Sequence, residues 1–418
     1  MSSERLAVNQ VFTPRRTEVN REIYVDRNSL ESELRRALRG SLHPIVYGES
    51  GSGKSWLYKK VLADMGAEVM TANCANATAL RLGSLTEEIR NIVQTKRPKR
   101  MIEMQEEMNA GVKAVFAQGG LKSTRKYEIE QSDPLLECFT VLREIAGERD
   151  AVLVIDNLEM IFDDKSKMEE LASIITLLDD ERYAHFNVRL LIVGVPGEIR
   201  HYLSQTNTSV SNRVTEITEI SALTFDQVSK LIENGFVNLL KVAFDDNTLA
   251  VWQKHVFEVT LGFAQPVQEY CEQLGYLVED DHWKADIDHL KVADQAWFKQ
   301  GLSKASTVVA RWMNERETRA GRRNQVLYSL GKIPALQFQV NEVEKILRAE
   351  FPGSTAEVTL AVGQILSELA SGDDAIIKRS PKGVDYEFKD ARYAMALRVF
   401  LQKDPHREKV IKAHGPNY

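Results

Sequence analysis

Residues 48–55 read Gly48-Glu49-Ser50-Gly51-Ser52-Gly53-Lys54-Ser55 and give the strongest indication of the fold class. This stretch matches the pattern G-x-x-x-x-G-K-[ST] at every fixed position, and it lies between the short apolar run 45–47 and a segment with helical periodicity. Glycines in such a loop let successive backbone N–H groups curl around the α- and β-phosphates of a nucleotide. The pattern therefore predicts a phosphate-binding loop between a buried strand and a helix, in preference to a flexible Gly/Ser linker.

The residues of this loop have separate expected roles. The Lys54 ammonium is expected to reach the β- and γ-phosphate oxygens, and the Ser55 hydroxyl is expected to coordinate Mg²⁺. The whole octet and the following Trp56 form the predicted nucleotide-binding segment, with ATP or ADP as the expected ligand.

A second motif, Ala151-Val152-Leu153-Val154-Ile155-Asp156, is an unbroken apolar run that ends in a carboxylate. A strand that is buried on both faces of a parallel sheet has this composition, and a carboxylate at its C-terminal end lies in the crevice where ligands bind. Asp156 is therefore predicted to hold Mg²⁺ through water, opposite Ser55. An ordinary strand that ends in a turn aspartate is the alternative.

Length and composition limit the class of protein. A chain of 418 residues exceeds one comfortable hydrophobic core, so two or three domains are expected. The first residues lack the apolar stretch of a signal peptide, and no segment approaches the length needed to span a bilayer, so a cytoplasmic protein without membrane contact is expected. Three widely spaced cysteines argue against a disulfide framework and against a zinc site.

The charge of the chain is unevenly distributed. Net charge is −6 overall, but residues 301–418 contain 19 Lys and Arg against 14 Asp and Glu, a local excess of +5. This excess suggests a polyanion contact in the C-terminal third, although an ordinary solvated surface has a similar composition.

Alternating strand and helix periods predict a doubly covered α/β sheet in the first half of the chain. Strands are expected near 44–47, 67–71, 151–156, 188–195 and 214–220. An N-terminal arm, residues 1–22, is expected to be extended or loosely attached, and the charged stretch 96–133 is interpreted as an insertion. The α/β domain is thus predicted to span residues 23–222.

The second half of the chain has mainly helical periodicity. Residues 223–300 are predicted to form a helical lid, which begins at the capping residue Thr224. Residues 301–402 read as helices around 308–330, 340–350 and 358–369, then two alternating runs, 375–379 and 384–388, that predict a β-hairpin. Three helices followed by a hairpin is the order of a winged-helix domain, with one closing helix and a tail, 403–418, behind it.

Together these motifs resemble the AAA+/STAND superfamily of signal-transducing P-loop ATPases, whose neighbours are the origin-recognition initiators and the transposition target-selection ATPases. The resemblance covers about residues 23–400. It rests on Ile23-Tyr24-Val25-Asp26-Arg27 with a following Leu-rich helix, on 48–55, on Val152–Glu159, on Gly262-Phe263-Ala264-Gln265-Pro266, and on the terminal winged helix. By similarity to that family, Tyr24, Val25 and Pro266 would line the adenine pocket. Simple packing is the alternative for all three.

The chain departs from the family pattern beside the predicted metal ligand. Members with fast hydrolysis usually follow the Mg²⁺ aspartate with a glutamate that orients the attacking water, whereas this chain has Asn157. Because asparagine cannot act as a base, hydrolysis is expected to be slow unless Glu159 substitutes. Many relatives also sense the γ-phosphate with a polar residue after the next core strand, where this chain has Gly194-Val195-Pro196.

Arginine positions give a second set of comparisons with the family. Arg213, just before the fifth strand, occupies the place of an arginine finger, which would complete the site of a neighbouring subunit. An arginine that satisfies backbone carbonyls is the alternative. The lid has Gln265 and Gln268 where a second sensor arginine would be expected.

Several functions are compatible with these features. The leading hypothesis is an ATP-dependent switch that couples nucleotide state to assembly, as a homo-oligomer or with an effector protein. A DNA-binding initiator or transposition-type ATPase is the second, with phosphate contacts from the hairpin. Its candidate cations are Lys378, Arg379, Lys382, Arg311, Arg316, Arg319, Arg322 and Arg323. A regulatory ATPase of a bacterial defence system is the third, and a metabolic kinase is disfavoured because no arginine-rich substrate lid follows the loop.

Overall fold

The computed structural model describes residues 5–78, 80–96, 133–194, 203, 208–245, 247–313, 321–380, 385–404 and 406–413. The chain divides into two compact units. The α/β unit consists of Arg27–Gly48 and Lys54–Ile220, and the helical unit consists of Met1–Asp26, Glu49–Gly53 and Ser221–Tyr418. The stretch interpreted as an insertion, 96–133, lies outside the described residues except at its two ends.

A short helix, α1 (Val8–Val11), comes first in the chain and belongs to the helical unit. The elements of the α/β unit follow in the order α2 (Asn28–Arg39), β1 (His43–Tyr47), α3 (Lys54–Asp64), β2 (Glu68–Asn73), α4 (Leu85–Lys96), α5 (Pro134–Ala146), β3 (Ala151–Asp156), α6 (Lys165–Leu177), α7 (Glu181–Ala184), β4 (Val188–Gly194) and β5 (Val214–Glu216). Short 3₁₀ turns cover Leu158–Ile161 and Thr208–Asn212.

The five strands form one parallel sheet in the order β2-β3-β4-β1-β5. Successive side chains of β3 enter two different cores: Leu153 and Ile155 pack in one, and Val152 and Val154 pack in the other. Burial on both faces explains the unbroken apolar composition of this strand. The predicted parallel α/β sheet is confirmed, although β5 is shorter than the sequence indicated.

The helical unit continues after Ser221. Its elements are α8 (Phe225–Ile232), a π-helical turn (Glu233–Leu239), α9 (Thr248–Thr260), α10 (Ala264–Asp280), α11 (Asp288–Gln300), α12 (Ser303–Trp312), α13 (Arg322–Lys332), β6 (Gln337–Phe338), α14 (Val340–Glu350), α15 (Pro352–Thr355), α16 (Val362–Leu369), β7 (Ile377–Arg379), β8 (Tyr386–Phe388), α17 (Ala391–Phe400), β9 (Leu401–Lys403) and β10 (Val410–Lys412). Thr224 caps α8, because its hydroxyl accepts a hydrogen bond from the Gln227 N–H at 3.3 Å.

The N-terminal arm is packed into the helical unit, so the expectation of a loosely attached segment is wrong for residues 8–12. Val8, Val11 and Phe12 are buried. Two glycines make room for them: a Cβ on Gly235 would lie 2.5 Å from Phe12 Cζ, and a Cβ on Gly275 would lie 2.5 Å from Val8 Cγ1. The arm is therefore part of this core, because apolar side chains at helical spacing fill gaps that only glycine leaves.

The C-terminal segment contains the predicted hairpin. Strands β7 and β8 pair antiparallel, and β6 adds a third strand in the order β6-β8-β7. The turn residues 381–384 lie outside the described part of the chain. Where the sequence suggested helix throughout 308–330, the structure has α12 and α13, and a second antiparallel pair, β9 with β10, follows the closing helix. The winged-helix assignment stays a prediction.

Among the helices that the structure describes, none combines the length and the apolar composition needed to cross a membrane.

Candidate functional site

The glycines of the 48–55 loop are required by its backbone. Gly51 and Gly53 have φ angles of 79° and 97°, a region that side-chain-bearing residues rarely adopt. The Ser52 N–H donates to the Glu49 carbonyl at 3.1 Å, which closes a tight turn. Helix α3 then begins at Lys54, so the loop leads directly from β1 into the first turn of a helix. This strand–loop–helix order is the context that the motif needs to act as a phosphate-binding loop.

Lys54 is anchored beside the loop. Its Nζ donates to the carbonyl oxygen of Gly48 at 2.7 Å, within the α/β unit. Ser55 and Trp56 follow in the first turn of α3, and both side chains are half-buried. An ammonium group carries three donors, and the bond to Gly48 uses one of them.

Asp156 lies at the carboxyl end of β3 and is held by two hydrogen bonds. The Tyr58 hydroxyl donates to Oδ2 at 3.0 Å, and the Asn157 N–H donates to Oδ1 at 2.8 Å. Tyr58 is on α3 three residues after Ser55, and residues at this spacing share a helix face. Burial, followed by the charge of Asp156 and the hydrogen bond to it, raises the pKa of Tyr58 well above its usual value, so the phenol stays protonated and donates.

The residue in the place of the catalytic glutamate is locked by a partner that the sequence interpretation missed. Asn157 has a left-handed backbone, with φ of 58°. Its Nδ2 donates to Asn73 Oδ1 at 3.0 Å, and Asn73 ends β2, the strand next to β3. Asn73 could have been found from the sequence, because it is a polar residue at the carboxyl end of the strand next to β3.

Glu159, the predicted substitute base, lies in the 3₁₀ turn Leu158–Ile161. Its Oε2 atom is buried and has no hydrogen-bond partner among the described residues. Burial raises the pKa of the nearby Cys74 thiol, and the charges of Asp156 and Glu159 raise it further. Both carboxylates thus lie near the start of the chain segment that leaves β2.

Arg213 makes contacts within its own chain. Its Nε lies 2.6 Å from Asp179 Oδ2, and its Nη1 donates to the Ser209 carbonyl at 2.6 Å. The second contact is the carbonyl-satisfying role that the sequence left as the alternative. A finger role requires this side chain to leave Asp179, and that role stays a prediction.

The lid turn contacts the loop inside the helical unit. The Gln265 N–H, in the first turn of α10, donates to the Gly51 carbonyl at 3.0 Å, and a Cβ on Gly51 would lie 3.3 Å from Pro266 Cδ. Pro266 therefore lies against the loop, and its adenine-pocket role stays a prediction. Tyr24 and Val25 are half-buried, and the Tyr24 N–H donates to the Asn20 carbonyl at 2.9 Å. Their part in adenine binding stays a prediction.

Glu269, one turn further along α10, is a buried carboxylate with several side-chain partners, and the sequence interpretation missed it. It is 6% exposed. Arg392 on α17 makes a two-pronged ion pair with it, with both N···O distances 3.1 Å. The Gln265 Nε2 donates to Glu269 Oε1 at 2.9 Å, and Trp297 Nε1 donates to Oε2 at 3.4 Å. The carboxylate thus joins the residue that touches Gly51 to the helix that follows the hairpin.

Residues 37–203 match the protein family described as AAA domain. The structure is similar to the Walker-type ATPase PABY2304 of Pyrococcus abyssi, at 15% identity over 92% of this chain and 99% of that chain, with a TM-score of 0.50. Cdc6p from Pyrobaculum aerophilum is also similar, at 14% identity over 95% of this chain and 98% of that chain, with a TM-score of 0.45. Aeropyrum pernix ORC1 in complex with DNA is similar at 14% identity over 94% of this chain and 96% of that chain, with a TM-score of 0.47. No curated protein matches the sequence.

The parallel sheet, the glycine loop and the start of α3 therefore define the fold of a P-loop NTPase. Within this class, residues 37–203 match the AAA domain family, so the predicted AAA+ resemblance is confirmed for that segment.

Proposed function

We propose that this chain is an ATP-binding switch that hydrolyses slowly and couples its nucleotide state to assembly. The observation that supports this most directly is the 48–55 loop, which has positive φ at Gly51 and Gly53, runs straight into α3, and is contacted by the lid turn at Gly51. Backbone N–H groups at a helix start are a ready site for phosphate oxygens. ATP and ADP are the proposed ligands.

Mg²⁺ fits the residues at the end of β3. Asp156 is a half-buried carboxylate that forms no ion pair with the described residues, and hard oxygen donors of this kind suit Mg²⁺. Ser55 and Asp156 would hold the ion, and Lys54 would contact the phosphates. When bound, Mg²⁺ neutralises charge on the β- and γ-phosphate oxygens.

Slow hydrolysis follows from the proposed roles of Asn157 and Glu159. An amide cannot take the proton of an attacking water, and the amide of Asn157 is engaged by Asn73. Glu159 has a buried carboxylate oxygen without a partner among the described residues, which supports it as the base of a weak ATPase. A switch benefits from this weakness, because the ATP-bound state then lasts.

Coupling would run through the lid helix. Gly51, Gln265, Glu269 and Arg392 form a continuous series of contacts within the helical unit, from the loop to α17. Contacts made by a γ-phosphate at the loop would shift the position of α10. Through Glu269, they would also shift the position of α17. Only a contact that differs between the ATP-bound and ADP-bound states can shift the equilibrium between two positions of these helices.

The proposal includes binding partners of the chain. Assembly would place Arg213 of one copy at the nucleotide of the next, or the chain would dock on an effector protein. DNA contact through the β7–β8 hairpin is the second candidate, supported by the exposed Lys378 and Arg379. Lys378 forms an ion pair with Glu387 at 2.8 Å, so a phosphate would compete with a carboxylate there. Lys382, Arg316 and Arg319 lie outside the described residues.

The decisive experiment is titration calorimetry with ATP and ADP on the parent and on Lys54→Ala. We expect the parent to bind and the variant to lose most of the affinity. Light scattering with and without ATP, on the parent and on Arg213→Ala, tests assembly, and a gel shift at low salt tests DNA, because phosphate contacts strengthen as salt falls. The proposal fails if the parent binds neither nucleotide, or if Lys54→Ala binds as tightly as the parent.

A further inference from the structure

Tyr58 contacts Asp156 from the helix that carries the phosphate-binding residues. It lies on α3, three positions after Ser55, and is 1% exposed. Its hydroxyl donates to Asp156 Oδ2 at 3.0 Å, from a residue 98 positions away in sequence. A phenylalanine would fill the same space, so packing alone gives no reason for a hydroxyl at this position.

Among the described residues, each carboxylate oxygen of Asp156 has one donor. Tyr58 holds Oδ2, and the N–H of Asn157 holds Oδ1 at 2.8 Å. The terminal torsion of an aspartate is broad and has no sharp rotamer of its own. Two donors on opposite oxygens fix the plane of the carboxylate. Without the Tyr58 hydroxyl, the N–H of Asn157 would be the remaining one of these two donors, and the carboxylate could rotate about that contact.

We propose that Tyr58 is a positioning residue, which orients the Asp156 carboxylate toward Mg²⁺ through its hydroxyl. This rests on the proposed function, in which Asp156 holds the ion. Outer hydrogen-bond partners of metal-binding side chains orient them, and their loss typically costs about 10- to 100-fold in metal affinity. If Tyr58 only satisfied its own buried hydroxyl, removing that hydroxyl would leave the metal dependence of nucleotide binding unchanged.

The test compares Tyr58→Phe with Tyr183→Phe. Tyr183 is a matched control in the same unit: it is 3% exposed, and its hydroxyl also donates to an aspartate, Asp133. Calorimetry measures binding of the imido analogue of ATP in excess Mg²⁺ and in EDTA. The ratio of the affinity in Mg²⁺ to the affinity in EDTA measures the gain that Mg²⁺ gives. We expect this ratio to be about tenfold smaller for Tyr58→Phe than for the parent, with the affinity in EDTA unchanged. We expect Tyr183→Phe to match the parent.

Each outcome has a distinct meaning. If Tyr58→Phe keeps the full Mg²⁺ gain, or increases it, the positioning role is wrong while nucleotide binding stands. If the parent binds nucleotide in neither condition, the proposed function fails and the inference fails with it.

A second variant keeps the test decisive if Tyr58→Phe does not fold. Asp156→Asn retains an oxygen that can accept from Tyr58 but removes the charge, so it should lose the Mg²⁺ gain. An unchanged gain in Asp156→Asn would overturn the inference, because Tyr58 would then be orienting a group without a role in metal binding. Where both single variants fold, adding Tyr58→Phe to Asp156→Asn should cause no further loss, since the hydroxyl acts through that carboxylate.

Discussion

At the scale of single residues, polar groups at the carboxyl end of the sheet hold one another in place. Asn73 fixes the amide of Asn157, and Tyr58 fixes the carboxylate of Asp156. Glu159 differs, because one of its buried oxygens has no hydrogen-bond partner in the described part of the chain. A buried acceptor without a partner in the protein costs free energy, and this is the observation behind the base role proposed for Glu159.

Glu159→Gln tests that interpretation. We expect ATP turnover at saturating Mg²⁺ and ATP to fall by at least about tenfold, because a general base contributes about 10²–10⁴-fold to a rate and an amide cannot replace it. Steady-state phosphate release measures the effect. Glu144→Gln, an exposed position on α5, is the control and should match the parent. Equal turnover in both variants would remove Glu159 from the mechanism.

His43 gives a pH prediction in β1. Burial, with the charges of Arg189 and Arg213 assisting, lowers its pKa from 6.5 to about 4, and its Nδ1 accepts the Leu190 N–H at 3.2 Å. The unfolded chain therefore binds more protons than the folded chain between these two values. The free energy of unfolding should fall by about 3 kcal/mol as the pH drops from 6.5 to 4.

Urea unfolding at a series of pH values measures this loss. His43→Gln should flatten the dependence in that window, since glutamine does not titrate. His185→Gln, an exposed histidine on the same unit, should leave it as in the parent. An unchanged slope in His43→Gln would show that other groups cause the acid sensitivity.

At the scale of elements, the N-terminal arm depends on two glycines in helices of the helical unit. Gly235→Ala should destabilise this unit by about 1–3 kcal/mol, because the new methyl group would lie 2.5 Å from the buried Phe12 ring and the arm would have to shift. Thermal unfolding measures the change. Gly363→Ala on α16, whose added Cβ meets nothing closer than 4.0 Å, is the matched control and should be neutral or stabilising. Equal melting temperatures for both would mean that the arm is not packed as described.

The strands and the loop were predictable from sequence because their physics is local. Residues 151–156 are buried on both faces, so their composition alone marks a parallel strand, and the loop glycines are required by φ angles. The arm was misjudged because its apolar residues are few and their partners are distant. Glu269 and Arg392 were missed for the same reason: they are 123 positions apart, and neither has an unusual local pattern.

At the scale of the whole molecule, the proposed switch needs a connection between its nucleotide site and the surface that reports the nucleotide. Glu269 provides one within the helical unit, since it binds Gln265, which touches Gly51, and also Arg392 on α17. An ion pair this buried adds little to stability when intact, but losing one partner leaves an uncompensated charge. We therefore expect this ion pair to matter more for coupling the position of α10 to that of α17 than for stability.

Arg392→Met should therefore do two things. It should lower the free energy of unfolding by about 3 kcal/mol, because the buried Glu269 loses its two-pronged partner and keeps, among the described residues, the exposed Arg15 at 3.9 Å. It should also remove any ATP-dependent change in hydrogen exchange over α17, while ATP still binds at the 48–55 loop. Hydrogen exchange with and without ATP, read by mass spectrometry, measures the second effect, and calorimetry confirms binding.

Arg311→Met is the control for this prediction, because Arg311 pairs with Asp374 at 3.0 Å on an exposed surface of the same unit. An exposed pair contributes about 0–1 kcal/mol, so this variant should keep both the stability and the ATP response of the parent. If Arg392→Met retained an ATP response over α17 equal to that of Arg311→Met, the signal would have to travel by contacts other than Glu269. If the parent bound ATP and showed no response over α17, the C-terminal helix would not report the nucleotide at all, and the switch would have to act through the α/β unit alone.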